Sequence, residues 1–395
     1  PTITNSTFRY NIDGVEADGS SSPILSGNTF TSNQYPVKIY GNEIDGNLYD
    51  NTYQDNMLPD SSLSDYIYVY GEGSSGQTEF FQGNKTYHWL RDGAPYRLTD
   101  HIYIHGDNND SYLTTLKIYP QTIISIEHDR YIWVGHTDNA NYNGALQADS
   151  VTFTSTDTSQ KFGSISFNSH SIDEQSYLDN CVIEYANDGV YCASSDPTIT
   201  NSTFRYNIDG VEADEGAYPI IENNQFLSNN IGVHKFTSSQ EFVVGGSPSA
   251  GNIFAGNTNA GIQESNGNSW IDASYNYWNS SNGPTHIENP GGDGDAVEGL
   301  VAYDPFISMV APTLTVQPGF FGNTVSWTHP EEQNISYYTI ERCCGQPDTT
   351  ISSGMNTYTD PIDGRWITST YRVGAIDQDE NSSLWSNPQM IENIL

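Results

Sequence analysis

Basic residues are scarce in this chain. Its 395 residues carry 13 lysines and arginines against 49 aspartates and glutamates, a formal net charge of −36. A surface of that sign repels phosphate backbones and anionic headgroups, so neither nucleic acid nor membrane insertion is expected. Cysteine is scarcer still, with 4 residues, too few for a disulfide scaffold and without zinc-site spacing. Cys343 and Cys344 are adjacent and close no low-strain bridge. No apolar run reaches the length of a membrane span, Pro1 does not open a signal peptide, and no sustained 3.6-residue stripe predicts a helix. Gly-x-Ser-x-Gly elbows, phosphate loops and His-Glu-x-x-His are missing too. Strong acidity often accompanies disorder, but 27 Tyr, 15 Phe and 7 Trp supply material for a core.

What the chain has is repetition. Residues 1–18, PTITNSTFRYNIDGVEAD, recur without change at 197–214. That offset corresponds to about nine units of about 22 residues, a solenoid period. The unit reads Ile3-x-Asn5-Ser6-x-Phe8, Leu25-x-Gly27-Asn28-x-Phe30 and Leu48-x-Asp50-Asn51-x-Tyr53 in one stretch. In another it reads Leu178-x-Asn180-Cys181-x-Ile183, Ile199-x-Asn201-Ser202-x-Phe204 and Ile221-x-Asn223-Asn224-x-Phe226. A second strand follows each time, at Gly14-Val15, Pro36-Val37, Gly189-Val190, Gly210-Val211 and Gly232-Val233. Strands this short, alternating apolar and polar, bury one face only, and the Asn, Gly, Asp and Ser between them supply tight corners. One coil cannot bury its own apolar row. Stacking predicts Phe8 over Phe30, Phe204 over Phe226, and corner asparagines bonded to their equivalents above and below.

Several segments carry a resemblance. Asn180-Cys181-Val182-Ile183-Glu184-Tyr185 with Gly189-Val190-Tyr191 is similar to the recurring coil of secreted right-handed parallel β-helix proteins, the non-catalytic surface-protein branch of the pectate-lyase-like superfamily. Asp92–Leu98 and Leu116–Thr122 resemble that branch's opening segments, with Gln121 where a glycine is usual. Tyr275–Trp278, Gly283-Pro284-Thr285 and Gly294–Val297 resemble its closing segment. The resemblance covers about three-quarters of the chain and speaks for fold more than activity. From Pro312 the character changes: Val325–Trp327, Tyr338–Glu341 and Tyr371–Ala375 are alternating strands that resemble a fibronectin type III β-sandwich, with Trp327 and Tyr371 as core anchors. The expected fold is all-β, with a right-handed parallel β-helix over 1–310 and a fibronectin type III-like domain over 311–395.

Candidate functional residues are few. The resemblance implies that a lyase would set acidic Ca²⁺ ligands beside a base. Arg9 and Arg205 are the candidates for that base, but Arg205 aligns with Leu227 and Thr31, as a variable outward position does. His101 and His105 share one face of a strand without an evident third ligand. Asp107–Asp110 and the pair Asp293 and Asp295 form oxygen-rich loops, candidates for a structural Ca²⁺ or simply solvated turns. No cofactor is expected to be required. Tyr66, Tyr68 and Tyr70 share one strand face; with Ile67 and Val69 in the core they would form an aromatic strip for sugar rings or a neighbouring subunit, unless loop 71–95 covers them. Cys181 and Cys192 are expected to point into the core from opposite sides of one coil, as a disulfide or as two buried thiols. Because residues 1–18 copy a segment flanked by coils, Ile3 and Phe8 are expected at an open end that favours end-to-end self-association. The expectation is an extracellular or cell-surface structural or adhesive protein, non-enzymatic, forming a filament or surface layer. A surface polysaccharide is a candidate partner, and a Ca²⁺-dependent polysaccharide lyase or epimerase, or a glycan-binding β-helix, is the alternative.

Overall fold

The computed structural model describes residues 1–18, 21–70, 83–106, 112–137, 142–237, 242–267, 269–309, 312–317, 323–329, 335–342, 349–352, 354–360, 368–377, 383, 386 and 389–392. Cys343, Cys344 and Asp107–Asp110 lie outside them. Among the described residues the only helices are two single 3₁₀ turns, Gly41–Glu43 and Asp173–Gln175, and neither is long or apolar enough to cross a membrane. From Thr2 to Ala302 every ladder between named strands is parallel, and the strands collect into sheets of ten, eight, six and three. This is a parallel β-helix, as the repeat predicts.

The corners follow from backbone sterics. Asn180, Asn201 and Asn223 sit in the left-handed region at φ 53, 52 and 58°, and Tyr185 and Tyr206 repeat that conformation one strand later. Asparagine tolerates this conformation locally, so each coil turns twice within a few residues. Glycine is required at one further place: a Cβ on Gly210 would lie 2.5 Å from the Gly232 carbonyl oxygen and 2.8 Å from Phe226 Cδ1. Gly189 and Gly232 meet their neighbours in the same way.

Inside, identical rows stack at the strand spacing. Phe8, Phe30 and Tyr53 follow one another at 5.1 and 5.2 Å between ring centroids. Phe204, Phe226, Phe254 and Trp278 continue at 5.1, 4.9 and 4.8 Å, and Trp278 is fully buried. Both predicted stacks are present. The duplicated segment also folds twice into the same strands, Thr2–Thr4, Thr7–Arg9 and Asp13–Ala17 against Thr198–Thr200, Thr203–Arg205 and Asp209–Asp214. Its surroundings differ: Asp13–Ala17 lies in the ten-stranded sheet and Asp209–Asp214 in the eight-stranded one.

Buried asparagines bind the coils together along two lines per stack. Asn229 shows the rule. Its Oδ1 accepts from the Asn207 backbone N–H and Nδ2 of the coil before, both at 3.1 Å. Its own Nδ2 donates to Phe204 O and to Asn257 Oδ1, each at 3.0 Å. Every polar atom of the amide is used, which is what burial demands. Each line runs one way and needs an acceptor at its end. Asp92, Asp65 and Asp295 receive the rungs Asn51, Asn56 and Asn257, while the line through Asn224 and Asn252 ends at Asn276, whose Nδ2 donates to the Val244 and Ala273 carbonyls.

Cys181 and Cys192 are both buried as free thiols, so the disulfide reading is corrected. Cys181 occupies a ladder corner, with its N–H on Ser202 Oγ and its Sγ donating to Asp179 O at 3.3 Å. Cys192 lies in the strand Ala186–Ala193 of the eight-stranded sheet. Facing sheets stand about 10 Å apart, too far for two sulfurs to bond without moving backbone. Burial pushes the Cys181 thiol up to about 12 and Cys192 well above the ordinary range. Native protein should therefore leave both cysteines unlabelled by iodoacetamide, and urea should expose both, as read by peptide mass mapping. Labelling of either cysteine in the folded protein would contradict this packing.

After Ala302 the pairing changes. Thr313–Gln317, Asn323–Thr328 and Thr357–Asp360 form one antiparallel sheet; Ile335–Arg342, Thr349–Ser352, Thr368–Asp377 and Gln389–Glu392 form another. Trp327, Tyr338 and Tyr371 are buried in one core shared by these strands. Trp327 and Tyr371 thus anchor it as expected, and Asn323 Nδ2 donates to Tyr371 Oη at 3.1 Å.

Candidate functional site

Most residues singled out in the sequence have structural roles. Ile67 and Val69 do face the core, but Tyr68 is buried and Tyr66 and Tyr70 are half-buried, so the exposed tyrosine strip is corrected. Tyr68 shares a 2.6 Å hydrogen bond with Ser64 and meets Tyr35 edge-on, while Arg97 lies over both Tyr66 and Tyr68. Tyr70 packs on Tyr40 with Lys38 above it. Asp295 ends a ladder: its two oxygens accept from Gly256 N–H, Asn257 N–H and Asn257 Nδ2 at 2.9, 2.8 and 2.6 Å. Asp293 is exposed and accepts from Ser280 and Asn282. Arg205 pairs with Glu184 at 2.6 Å, in register with Leu227 as an outward position. Ile3 and Phe8 are half-buried in the first coil, over Leu25 and Phe30.

The chemistry gathers elsewhere, on the outer face of the eight-stranded sheet. Its strands are Ile102–Ile104, Ile132–Val134, Phe162–Phe167, Ala186–Ala193, Asp209–Asp214, Ile231–Lys235, Ala260–Glu264 and Val297–Glu298. Alternation sends Ile102, Ile104, Ile132, Val134, Ile165 and Phe167 into the core. The residues between them form one outward row in register: Tyr103, Trp133, Ser166, Tyr191, Glu212, His234, Gln263 and Glu298.

One end of this row is aromatic. Tyr103 and Trp133 are 4.4 Å apart between ring centroids, Tyr131 stacks on Trp133 at 5.2 Å, and His101 stacks on Trp133 at 4.9 Å. All four side chains are half-buried. Each ring is therefore held by its neighbours and still presents area to solvent. His101 belongs to this platform; His105 is buried, its Nδ1 3.0 Å from Gly106 O and its ring edge-on to Tyr142. The two histidines do not share a metal site.

The other end is acidic. His234 Nδ1 is 2.7 Å from Asp209 Oδ2 and 3.5 Å from Glu212 Oε2, and its Nε2 is 2.9 Å from Ser265 Oγ. Burial alone would lower the imidazole; hydrogen bonds that His234 donates to the Asp209 and Glu212 carboxylates, together with their charges, outweigh it and lift His234 to about 9. Asp188, in register with Asp209, is pushed up to about 7 by burial and then by Glu212 and Asp209. Asp209, Glu212 and His234 form the only group of three or more metal-capable side chains that converges among the described residues, their ligand atoms all within 4.8 Å of one another.

A family model described as right handed beta helix region matches residues 138–293, the stretch that carries this acidic end. Over that stretch the parallel coil is similar to a right-handed β-helix. Such β-helices include both pectate lyase-like enzymes and surface proteins. No curated protein matches the chain.

Proposed function

We propose that this β-helix is a non-catalytic adhesive protein of the cell exterior that recognises neutral saccharides along the outer face of its eight-stranded sheet, with a fibronectin type III-like module at its C-terminal end. The contiguous aromatic platform of His101, Tyr103, Tyr131 and Trp133 carries the reading. Aromatic faces match the C–H faces of sugar rings, and ring edges bring hydroxyls with them. The row continues from the platform to Tyr191 and Glu212, whose oxygens accept hydrogen bonds from sugar hydroxyls. A rigid sheet holds the rings before the ligand arrives, so little entropy is lost on binding. Charge selects the class: a protein at −36 disfavours uronate or sulfate polymers and leaves neutral chains as ligands. Arg205, one of the two sequence candidates for a lyase base, is held by Glu184.

The test is a glycan array probed with the wild-type chain and with Trp133→Ala. Neutral oligosaccharides should bind, and the variant should lose at least tenfold in affinity, about 1.4 kcal/mol, with its melting curve kept. Binding confined to anionic glycans, or unchanged in Trp133→Ala, would contradict the proposal.

A further inference from the structure

The duplicated segment contains an internal experiment. Asp13 and Glu16 in the first copy are the same residues, in the same local sequence, as Asp209 and Glu212 in the second. In both copies the next coil supplies one more residue in register with the glutamate: Lys38 opposite Glu16, and His234 opposite Glu212. In the first copy the Lys38 ammonium sits between the two carboxylates, 3.5 Å from Asp13 Oδ1 and 2.8 Å from Glu16 Oε1. This fold therefore places a cation between this pair of carboxylates. In the second copy a histidine replaces the lysine, and the cation becomes a ligand.

We infer that Asp209, Glu212 and His234 form a binding site for a divalent transition-metal ion, of the class that zinc represents. Three features of the second copy favour an ion. Asp209 is 5% exposed, and its Oδ1 has no hydrogen-bond partner, a costly state for a buried carboxylate oxygen and one that a cation relieves. The His234 ring is oriented by Ser265 through Nε2, which leaves Nδ1 toward the carboxylates; metal-binding histidines are steadied by such an outer partner. One imidazole nitrogen with two carboxylates suits zinc and its neighbours better than Ca²⁺ or Mg²⁺, which take oxygen ligands. Three protein ligands leave a position open on the outer face of the sheet, in the same row as the aromatic platform. Binding displaces the Nδ1 proton, so the ion and the proton exchange at one lone pair. The inference stands independently of the saccharide reading, since the zinc ion alone is the probe.

Calorimetric titration of the full chain with a zinc salt should reveal one site per chain well above the weak background of the acidic surface. His234→Lys copies the arrangement that the first copy already tolerates, and it should lower the affinity of that site at least tenfold. Lys38→His makes the reciprocal change and should add a second site, so the idea remains testable if His234→Lys does not fold. Zinc anomalous scattering from a soaked crystal should fall between Asp209, Glu212 and His234. Equal zinc binding by wild type and His234→Lys, one unchanged stoichiometry in Lys38→His, or an anomalous peak elsewhere would overturn the assignment.

Discussion

Asn229→Leu should destabilise the β-helix by about 3–5 kcal/mol, although leucine is nearly isosteric and more apolar. The loss is set by what the amide leaves behind. Asn207 N–H, Asn207 Nδ2, the Phe204 carbonyl and Asn257 Oδ1 all bond to Asn229 and are all buried. Each unsatisfied buried group costs about 1–3 kcal/mol, less what local relaxation recovers. Urea denaturation followed by far-UV circular dichroism measures it. A change below about 1 kcal/mol would mean that the ladder organises the coils without stabilising them. Asn229→Asp should cost at least as much, because a carboxylate still accepts from Asn207 but sets a buried charge against the acceptors Phe204 O and Asn257 Oδ1.

The second large effect uses the duplication. Phe8 and Phe204 lie in identical local sequence, so intrinsic propensity cannot separate them. Phe204 is wholly buried and stacks on Phe226, while Phe8 is half-buried over Phe30. Phe204→Ala should cost about 3–5 kcal/mol through lost burial and a residual cavity. Phe8→Ala should cost roughly half as much, since it has less burial to lose. Because solenoid coils couple chiefly to their neighbours, hydrogen exchange should localise the first effect to coils around 178–255 and the second to the first coils. Equal costs would show that the two copies are packed alike in solution.

These pairs also show what the sequence made legible. Phe8, Phe30, Phe204 and Phe226 were readable because a spacing of 21 to 22 residues keeps their equivalence visible, and each stacks as expected. Corner asparagines were readable for the same reason. Their terminators were not: Asn51 to Asp92 spans 41 residues, Asn56 to Asp65 spans 9, and Asn257 to Asp295 spans 38, so the period is lost where each line ends. The aromatic platform was hidden likewise. Tyr103, Trp133, Ser166 and Tyr191 share one row in space, but they are separated by unequal insertions, and the register shifts between Ser164 and Ile165. Tyr66, Tyr68 and Tyr70, by contrast, are close in sequence and share one strand face by alternation. Strand alternation placed Ile67 and Val69 correctly, but it could not foresee that Arg97, Tyr35 and Ser64 would close over Tyr68. The Asp209–Glu212–His234 group did leave a signal, since His234 stands at the place of Lys38 in an otherwise identical carboxylate pair.

The most direct measurement of the saccharide assignment is a crystal structure of the chain with the neutral oligosaccharide that binds most tightly on the array. A sugar ring should pack against the solvent-facing part of the Trp133 platform, beside Tyr103 and Tyr131, with the chain running along the row toward Tyr191 and Glu212. A sugar bound on the antiparallel C-terminal strands, or on the opposite side of the β-helix with Trp133 untouched, would contradict it.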